Sequence, residues 1–221
     1  MAAAAPEGEW RPRWDWAAAR AGLLAADPTL RPALASPLPA RPARTPFGQL
    51  VRAICAQQIS VAAADAVERR LQAACGGPCT PAAVCGLSEE ALRAAGLSRP
   101  KAVYVRGLAR AAADGALEAF DLLALDDEGV IAHLTRLPGI GRWTVEMLLI
   151  FGLHRPDVLP AGDLGIRAGI ALLDAGTFAG LPTPKAVLAR GEAWRPHRSA
   201  AALALWAWRR AVRTERGTAA E

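Results

Sequence analysis

The chain has 221 residues, enough to bury one substantial core as a single domain or as two interleaved subdomains. Ala and Leu supply most of its hydrophobic content and aromatic residues only 5%, which favours helices over strands and predicts an all-α protein. The net charge is +5, and all but two of the 26 basic residues are Arg. This bias suits phosphate contacts, although a genome rich in G and C also raises Arg and Ala.

The first residues predict neither a targeting signal nor a membrane span. Met1 to Ala5 is apolar but short, follows no basic region and soon meets Glu7 and Glu9, so it does not resemble a signal peptide. The chain also lacks a run of about 18 apolar residues, the length that a membrane span needs. Residues 1–13 are small or charged and include two prolines, and we predict that they are disordered.

The four cysteines do not predict a metal site. Cys75, Cys79 and Cys85 fall within eleven residues, but no His is near them and their spacing differs from the paired short gaps of zinc sites. We expect reduced thiols, with Cys55 among them, in a cytoplasmic protein. No metal and no cofactor is predicted from these residues.

The first third of the chain predicts helices around a short break. Residues 14–26 have an amphipathic pattern, and residues 28–46 contain six prolines, which predicts an irregular connector. From Phe47 the helical period is strong until it breaks at Gln57-Gln58-Ile59-Ser60, where Ser60 is a plausible N-cap for the next helix. Further helices are predicted at 81–85, 88–95, 99–114, 121–124 and 127–137.

A glycine-rich turn follows, at Leu137-Pro138-Gly139-Ile140-Gly141. Pro138 removes a backbone donor and stops the preceding helix, and the two glycines permit close approaches that a β-carbon prevents. Helical spacing resumes at Arg142. Such a turn points backbone N–H groups outward at a helix start, where an anion such as a nucleic-acid phosphate binds. An ordinary Pro-Gly turn between two helices has the same pattern.

Asp163 is the strongest candidate for chemistry. Pro160, Gly162 and Gly165 surround it, and apolar residues then recur at helical spacing as far as Leu173, so Asp163 is predicted to be an N-cap. An isolated Asp before a helix is usually a cap and nothing more. Two further helices are predicted at 183–191 and 198–213.

Together these segments resemble the helix-hairpin-helix (HhH-GPD) DNA glycosylase superfamily, and most closely its 3-methyladenine DNA glycosylase II branch. The resemblance rests on four motifs between about residue 45 and residue 210. They are the hairpin 137–141 with Trp143 and Thr144, the segment 160–163, the segments 47–50 and 56–60, and the segment 194–199 with Leu205 and Trp206.

The resemblance implies an all-α helix-hairpin-helix glycosylase fold with two helical subdomains and the active-site cleft between them. The glycosylase domain is expected at 14–216. One subdomain is expected to combine 14–46 with 138–216, and the other to contain six helices within 47–137.

The resemblance also implies roles for particular residues. Asp163 is the expected catalytic carboxylate, which stabilises the positive charge that develops on the sugar as the N-glycosidic bond breaks. Gln58, with Gln57 beside it, is the expected wedge that fills the gap left by a flipped base. The base pocket is expected to contain Trp143, Trp206 and Met147, and the contacts to the DNA backbone Leu137, Gly139, Ile140, Gly141 and Thr144.

The expected partner is double-stranded DNA that contains alkylated bases, bound by a monomer in the cytoplasm at the bacterial nucleoid. No cofactor is expected, apart from a possible monovalent cation on the hairpin carbonyls. Relatives that also cut the strand carry a Lys where this chain has Trp143, so we expect base release without strand cleavage. Two alternatives stay open from the sequence: a non-catalytic helix-hairpin-helix DNA-binding module, and a glycosylase for uracil, mismatched or oxidised bases.

Overall fold

The computed structural model describes residues 9–115, 117, 119–174 and 180–218, and most of these residues are helical. In chain order the α-helices are α1 (Trp16–Ala26), α2 (Arg31–Ala35), α3 (Pro46–Ala56), α4 (Val61–Ala74), α5 (Pro81–Cys85), α6 (Glu89–Ala94), α7 (Arg99–Ala113), α8 (Ala119–Ala124), α9 (Asp127–Leu134), α10 (Arg142–Phe151), α11 (Leu164–Leu173), α12 (Pro184–Gly191) and α13 (Arg198–Thr218). Short 3-10 turns cover Pro28–Leu30 and Glu192–Trp194. The described residues contain no strand, so the all-α prediction is confirmed. None of their helices is long and apolar enough to cross a membrane.

The described residues form two compact units. Unit 1 contains residues 9–10 and 42–153, and unit 2 contains residues 11–41 and 154–218. The predicted division placed residues 138–216 together, but residues 138–153 belong to unit 1. The reason is the packing of α10, which is buried at every position from Thr144 to Phe151 and lies against α3.

The N-terminal prediction is wrong from residue 9 onward, while residues 1–8 lie outside the described part. Trp10 is buried, and its Nε1–H donates to the backbone oxygen of Phe151 at 2.7 Å. The two rings also meet edge to face, with centroids 5.3 Å apart. A large indole with its one donor satisfied gains enough from burial to order a segment that is otherwise small and charged.

The prolines of residues 28–46 do not keep that segment irregular. Pro28 and Pro32 occupy the first turns of the 3-10 helix and of α2, where a missing N–H costs nothing. Leu30, Ala33 and Leu34 are buried in the core of unit 2, and α2 packs against α13. The apolar residues between the prolines therefore decide the structure of this segment.

Several helix ends agree with the predictions made from capping residues. Ser60 and Ser88 accept hydrogen bonds from backbone N–H groups in the first turns of α4 and α6. Other ends differ, among them that of α9, which stops at Leu134 rather than at 137, and that of α13, which continues past 213 to Thr218.

Candidate active site

The turn between α9 and α10 needs glycine at position 139, as predicted, but its backbone at Gly141 is extended and would accept other residues. Gly139 has a φ of +81°, in the left-handed region. A β-carbon on Gly139 would lie 2.1 Å from Cγ of Tyr104, a residue of α7, so glycine alone fits there. Gly141 precedes α10 and provides no side-chain cap for it. The uncapped start of α10 is a suitable place for an anion such as a phosphate.

An open pocket with a volume of about 600 Å³ and a concave surface lies beside this turn in unit 1. It is lined by Gln57, Gln58, Ser98, Pro100, Lys101, Tyr104 and residues 135–141. Four of the five predicted contacts to the DNA backbone are therefore on this surface. The fifth, Thr144, does not line this surface. Its side chain faces the interior of unit 1, and only 1% of the residue is exposed.

The two predicted wedge residues have different environments. Gln58 is exposed in the break between α3 and α4, with a φ of +59°. Gln57 is half-buried, and its Nε2 donates to the backbone oxygen of Gly139 at 3.0 Å and to Oγ1 of Thr144 at 3.1 Å. The position of Gln57 does not suit a wedge, because its amide is already bound to the hairpin. The wedge prediction now rests on Gln58 alone.

Asp163 and Trp206 are brought together in unit 2. Asp163 is the N-cap of α11, and its Oδ1 accepts the backbone N–H of Ile166 at 2.9 Å. The same oxygen accepts Nε1–H of Trp206, from α13, at 2.8 Å. The predicted cap is confirmed. The bond from Trp206, 43 residues away in sequence, shows that the orientation of this carboxylate is also fixed by a second helix.

Two glycines of α11 allow α13 to come this close. A β-carbon on Gly165 would lie 2.8 Å from Cδ1 of Trp206 and 2.9 Å from Oδ1 of Asp163. A β-carbon on Gly169, about one turn later, would meet Leu205 at 3.2 Å. Gly165 therefore leaves the space in which the indole reaches the carboxylate.

The remaining base-pocket predictions lie on α10 in unit 1. Trp143 is half-buried, and Met147 follows one helical turn later with 6% of its surface exposed. Met147 offers a flexible, polarizable thioether at this position.

Comparison with known proteins places the chain in a family. Residues 51–196 match the family described as HhH-GPD superfamily base excision DNA repair protein. The chain is also 39% identical over 166 residues to DNA-3-methyladenine glycosylase 1 of Schizosaccharomyces pombe, which covers 74% of this chain and 72% of that protein. The chain belongs to the HhH-GPD superfamily.

A solved structure and a bacterial relative agree with the HhH-GPD assignment. A 3-methyladenine DNA glycosylase of S. pombe, in complex with abasic DNA, matches with a TM-score of 0.79 and 36% identity, covering 86% of this chain and 95% of that one. DNA-3-methyladenine glycosylase 2 of Escherichia coli is 31% identical over 170 residues, 72% of this chain and 56% of that protein.

Three cysteines of this HhH-GPD chain, Cys55, Cys75 and Cys79, have the properties of unreactive thiols. Burial raises the pKa of Cys55 to about 11 and also raises the pKa values of Cys75 and Cys79, so little thiolate is present at neutral pH. Sγ of Cys75 and Sγ of Cys79 lie 4.0 Å apart. Within the described ranges, no three His, Cys, Asp or Glu side chains are grouped so that they could hold a metal ion.

Sequence reasoning missed Lys101 and Tyr104 of α7. Nζ of Lys101 donates to the backbone oxygens of Cys55 and Gln57, at 2.9 and 2.7 Å, and burial lowers the pKa of this ammonium. Tyr104 also lies on α7, one turn before Leu108, and its ring packs against Gly139 of the hairpin. One signal for Lys101 was present, since it is one of only two lysines in a chain that otherwise uses Arg.

Replacing Trp206 with Phe should slow base release by about tenfold or more, because a hydrogen bond to a charged acceptor contributes about 1.5 to 3 kcal/mol. Phe keeps an aromatic ring but has no donor for Asp163. Single-turnover release of alkylated base measures the effect. Trp208→Phe, two residues later on α13, is the matched control, because Trp208 is also half-buried against the core of unit 2, and release should stay within about twofold of the parent. Equal rates for Trp206→Phe and the parent would remove the hydrogen bond from the mechanism.

Proposed function

We propose that this HhH-GPD chain is a DNA glycosylase that flips alkylated, cationic bases such as 3-methyladenine out of duplex DNA and hydrolyses their N-glycosidic bond. This reaction starts base excision repair. The names of its relatives, DNA-3-methyladenine glycosylase in fission yeast and in E. coli, support the substrate class. The observation that carries the chemistry is the pair of hydrogen bonds that orient the Asp163 carboxylate.

In the proposed reaction, Asp163 stabilises a cationic sugar. As the bond from C1′ to the ring nitrogen breaks, the nitrogen takes the bonding electron pair and the alkylated base becomes neutral. The positive charge that remains on the deoxyribose is offset by the carboxylate. Water then forms the new bond to C1′, and its proton passes to Asp163 or to solvent. Because the base leaves as a neutral molecule, this reaction needs little help from a general acid.

Trp143, Trp206 and Met147 are proposed to recognise the base. An electron-poor purine stacks well on an indole, and each cation–π contact contributes about 0.5 to 2 kcal/mol. Neutral damaged bases would need more hydrogen-bond donors than two indoles and a thioether supply. This argument supports the 3-methyladenine glycosylase II type over a glycosylase for uracil or oxidised purines.

We also propose that the enzyme releases the base without cutting the strand. Relatives that cut the strand use an amine nucleophile where this chain has Trp143, and an indole cannot form a Schiff base. The same proposal places the enzyme in the bacterial cytoplasm, at the nucleoid where its DNA substrate is found.

A monovalent cation at the hairpin is compatible with the carbonyl groups of that turn. The oxygens of Leu137 and Gly139 each accept one hydrogen bond, from the N–H of Ile140 and from Gln57. Each therefore keeps a second lone pair for an ion. Such an ion would add positive charge for a DNA phosphate.

The test is to incubate the protein with duplexes that carry single defined lesions and to measure free base. Release of 3-methyladenine, with an intact strand until alkali is added and no adduct after borohydride reduction, is the expected result. An adduct trapped by borohydride would contradict the absence of strand cleavage. Binding of every duplex without release of any base would instead identify a DNA-binding module, and release of uracil alone would identify a different glycosylase.

A further inference from the structure

Gln57 connects the break after α3 to the hairpin. The residue caps the C-terminus of α3. Its side-chain amide donates two hydrogen bonds, to Gly139 and Thr144, which are both more than 80 positions later in the sequence. Gly139 lies in the turn itself and Thr144 in the first turn of α10. One amide group thus contacts both parts of the hairpin.

Lys101 fixes the same break from a third element. Its ammonium, on the first turns of α7, donates to the carbonyl oxygens of Cys55 and Gln57. These are among the last carbonyls of α3, which have no partner within the helix and carry partial negative charge. Gln57 is therefore held both by its side chain and by its backbone.

The next residue, Gln58, has a backbone that needs such support. A φ of +59° is unfavourable for a residue with a side chain and costs about 1 kcal/mol. Residues on both sides restrain it, because Gln57 is anchored and Ser60 caps α4 through the N–H of Ala63. These neighbours therefore restrain the backbone from which the exposed Gln58 side chain projects.

We propose that Gln57 and Lys101 are positioning residues, which join the phosphate-binding hairpin to Gln58 so that binding of the DNA backbone and insertion of the wedge occur as one event. This inference rests on the proposed function, since it assumes that Gln58 fills the space of a flipped base. In this proposal Gln57 acts through the hairpin and Gln58, not on the base or the reacting atoms.

The test uses Gln57→Met, which keeps the length of the side chain and removes both donated hydrogen bonds. We expect duplex excision to fall by about tenfold, from the loss of two hydrogen bonds, and single-strand excision to change by less than about twofold. The same substitution at Gln72 on α4 is the matched control. Lys101→Met should lower the duplex rate in the same way, and Lys101→Arg should restore part of it, because Arg keeps donors near both carbonyls.

A second measurement separates positioning from general damage to the fold. In a Gln58→Ala background, Gln57→Met should change the ratio of duplex to single-strand excision by less than about twofold, because both residues act through one wedge. Additive losses, or equal losses on duplex and single strand, would overturn the proposal. If Gln57→Met does not fold, Lys101→Met and Lys101→Arg take its place. They are judged by the same two criteria, the ratio of duplex to single-strand excision and its change in the Gln58→Ala background.

Insertion can also be read without catalysis. The fluorescence of 2-aminopurine beside the lesion rises when the neighbouring base unstacks, and we expect this rise with the parent but a reduced rise with Gln57→Met. A parent that gives the rise without releasing base, together with a reduced rise with Gln57→Met, would contradict the proposed chemistry and still support the positioning role. A full rise with both Gln57→Met and Lys101→Met would overturn the positioning role whatever the excision rates.

Discussion

Replacing Asp163 with Asn should slow release of alkylated purines by about a hundredfold or more, because a carboxylate facing a developing cation in a partly dry site contributes several kcal/mol. The substitution is informative because it changes little else. Asn caps a helix about as well as Asp, and its side-chain oxygen can accept the same bonds from the N–H of Ile166 and from Trp206. The negative charge is lost, and the second carboxylate oxygen is replaced by an amide nitrogen that donates instead of accepting.

Three measurements define this result. Single-turnover release of 3-methyladenine gives the rate, thermal unfolding gives the stability, and binding to a duplex gives the affinity. We expect unchanged unfolding and equal or tighter binding, since a negative charge near the DNA has gone. The matched control is Asp126→Asn, because Asp126 is an exposed N-cap of α9 whose Oδ1 accepts the N–H of Gly129 at 2.7 Å. A folded Asp163→Asn protein that excises at the parental rate would exclude Asp163 as the catalytic carboxylate.

Replacing Gly139 with Ala should weaken DNA binding by at least about tenfold and lower the free energy of unfolding by about 1 to 3 kcal/mol. Two separate causes act there. The φ of +81° is unfavourable for Ala, and the new methyl group would lie 2.1 Å from Cγ of Tyr104. Because Tyr104 is part of α7, relief of this contact must displace the turn whose backbone N–H groups are the proposed phosphate contacts.

Gly141 provides the matched control. It has a φ of −96°, and a β-carbon there would meet nothing within 4 Å, so Gly141→Ala should leave the free energy of unfolding nearly unchanged. Any loss of DNA affinity in Gly141→Ala would then come from the new methyl group blocking the approach of DNA, and not from damage to the turn. DNA-binding titrations at several salt concentrations should show that the logarithm of the affinity falls less steeply with the logarithm of salt concentration for Gly139→Ala, because phosphate contacts are lost. Parental stability, affinity and slope in Gly139→Ala would remove the hairpin from the proposed contact.

A Tyr104→Ala background distinguishes the two causes at Gly139. Removing the ring leaves the positive φ unfavourable but takes away the steric overlap. If the overlap dominates, Gly139→Ala should cost less in this background than in the parent. An unchanged cost would assign the whole effect to the backbone conformation.

Local features were predictable from the sequence, and long-range partners were not. The caps at Ser60, Ser88 and Asp163 depend on residues within three positions of each other, so short patterns identified them. The hydrogen bond from Trp206 to Asp163 joins α13 to α11. A capping pattern carries no information about which distant helix supplies such a donor.

The same limit explains the errors in assignment. Gln57 and Gln58 are identical in type and adjacent in sequence, yet one is bound to the hairpin and the other is exposed. Periodicity indicated that α10 is apolar but not which helices it packs against, so the boundary was placed before α10 instead of after it. The prolines near Leu30 were interpreted as breakers although they occupy first-turn positions.

Unit 2 is built from two segments that are far apart along the chain, residues 11–41 and 154–218. During synthesis from the N-terminus, residues 42–153 are complete while α13 has not yet been made. A chain arrested near residue 195 would therefore carry the full hairpin sequence and Asp163, but not the indole that orients this carboxylate. The order of translation thus completes the hairpin, the proposed DNA contact, before the helix that orients the proposed catalytic carboxylate.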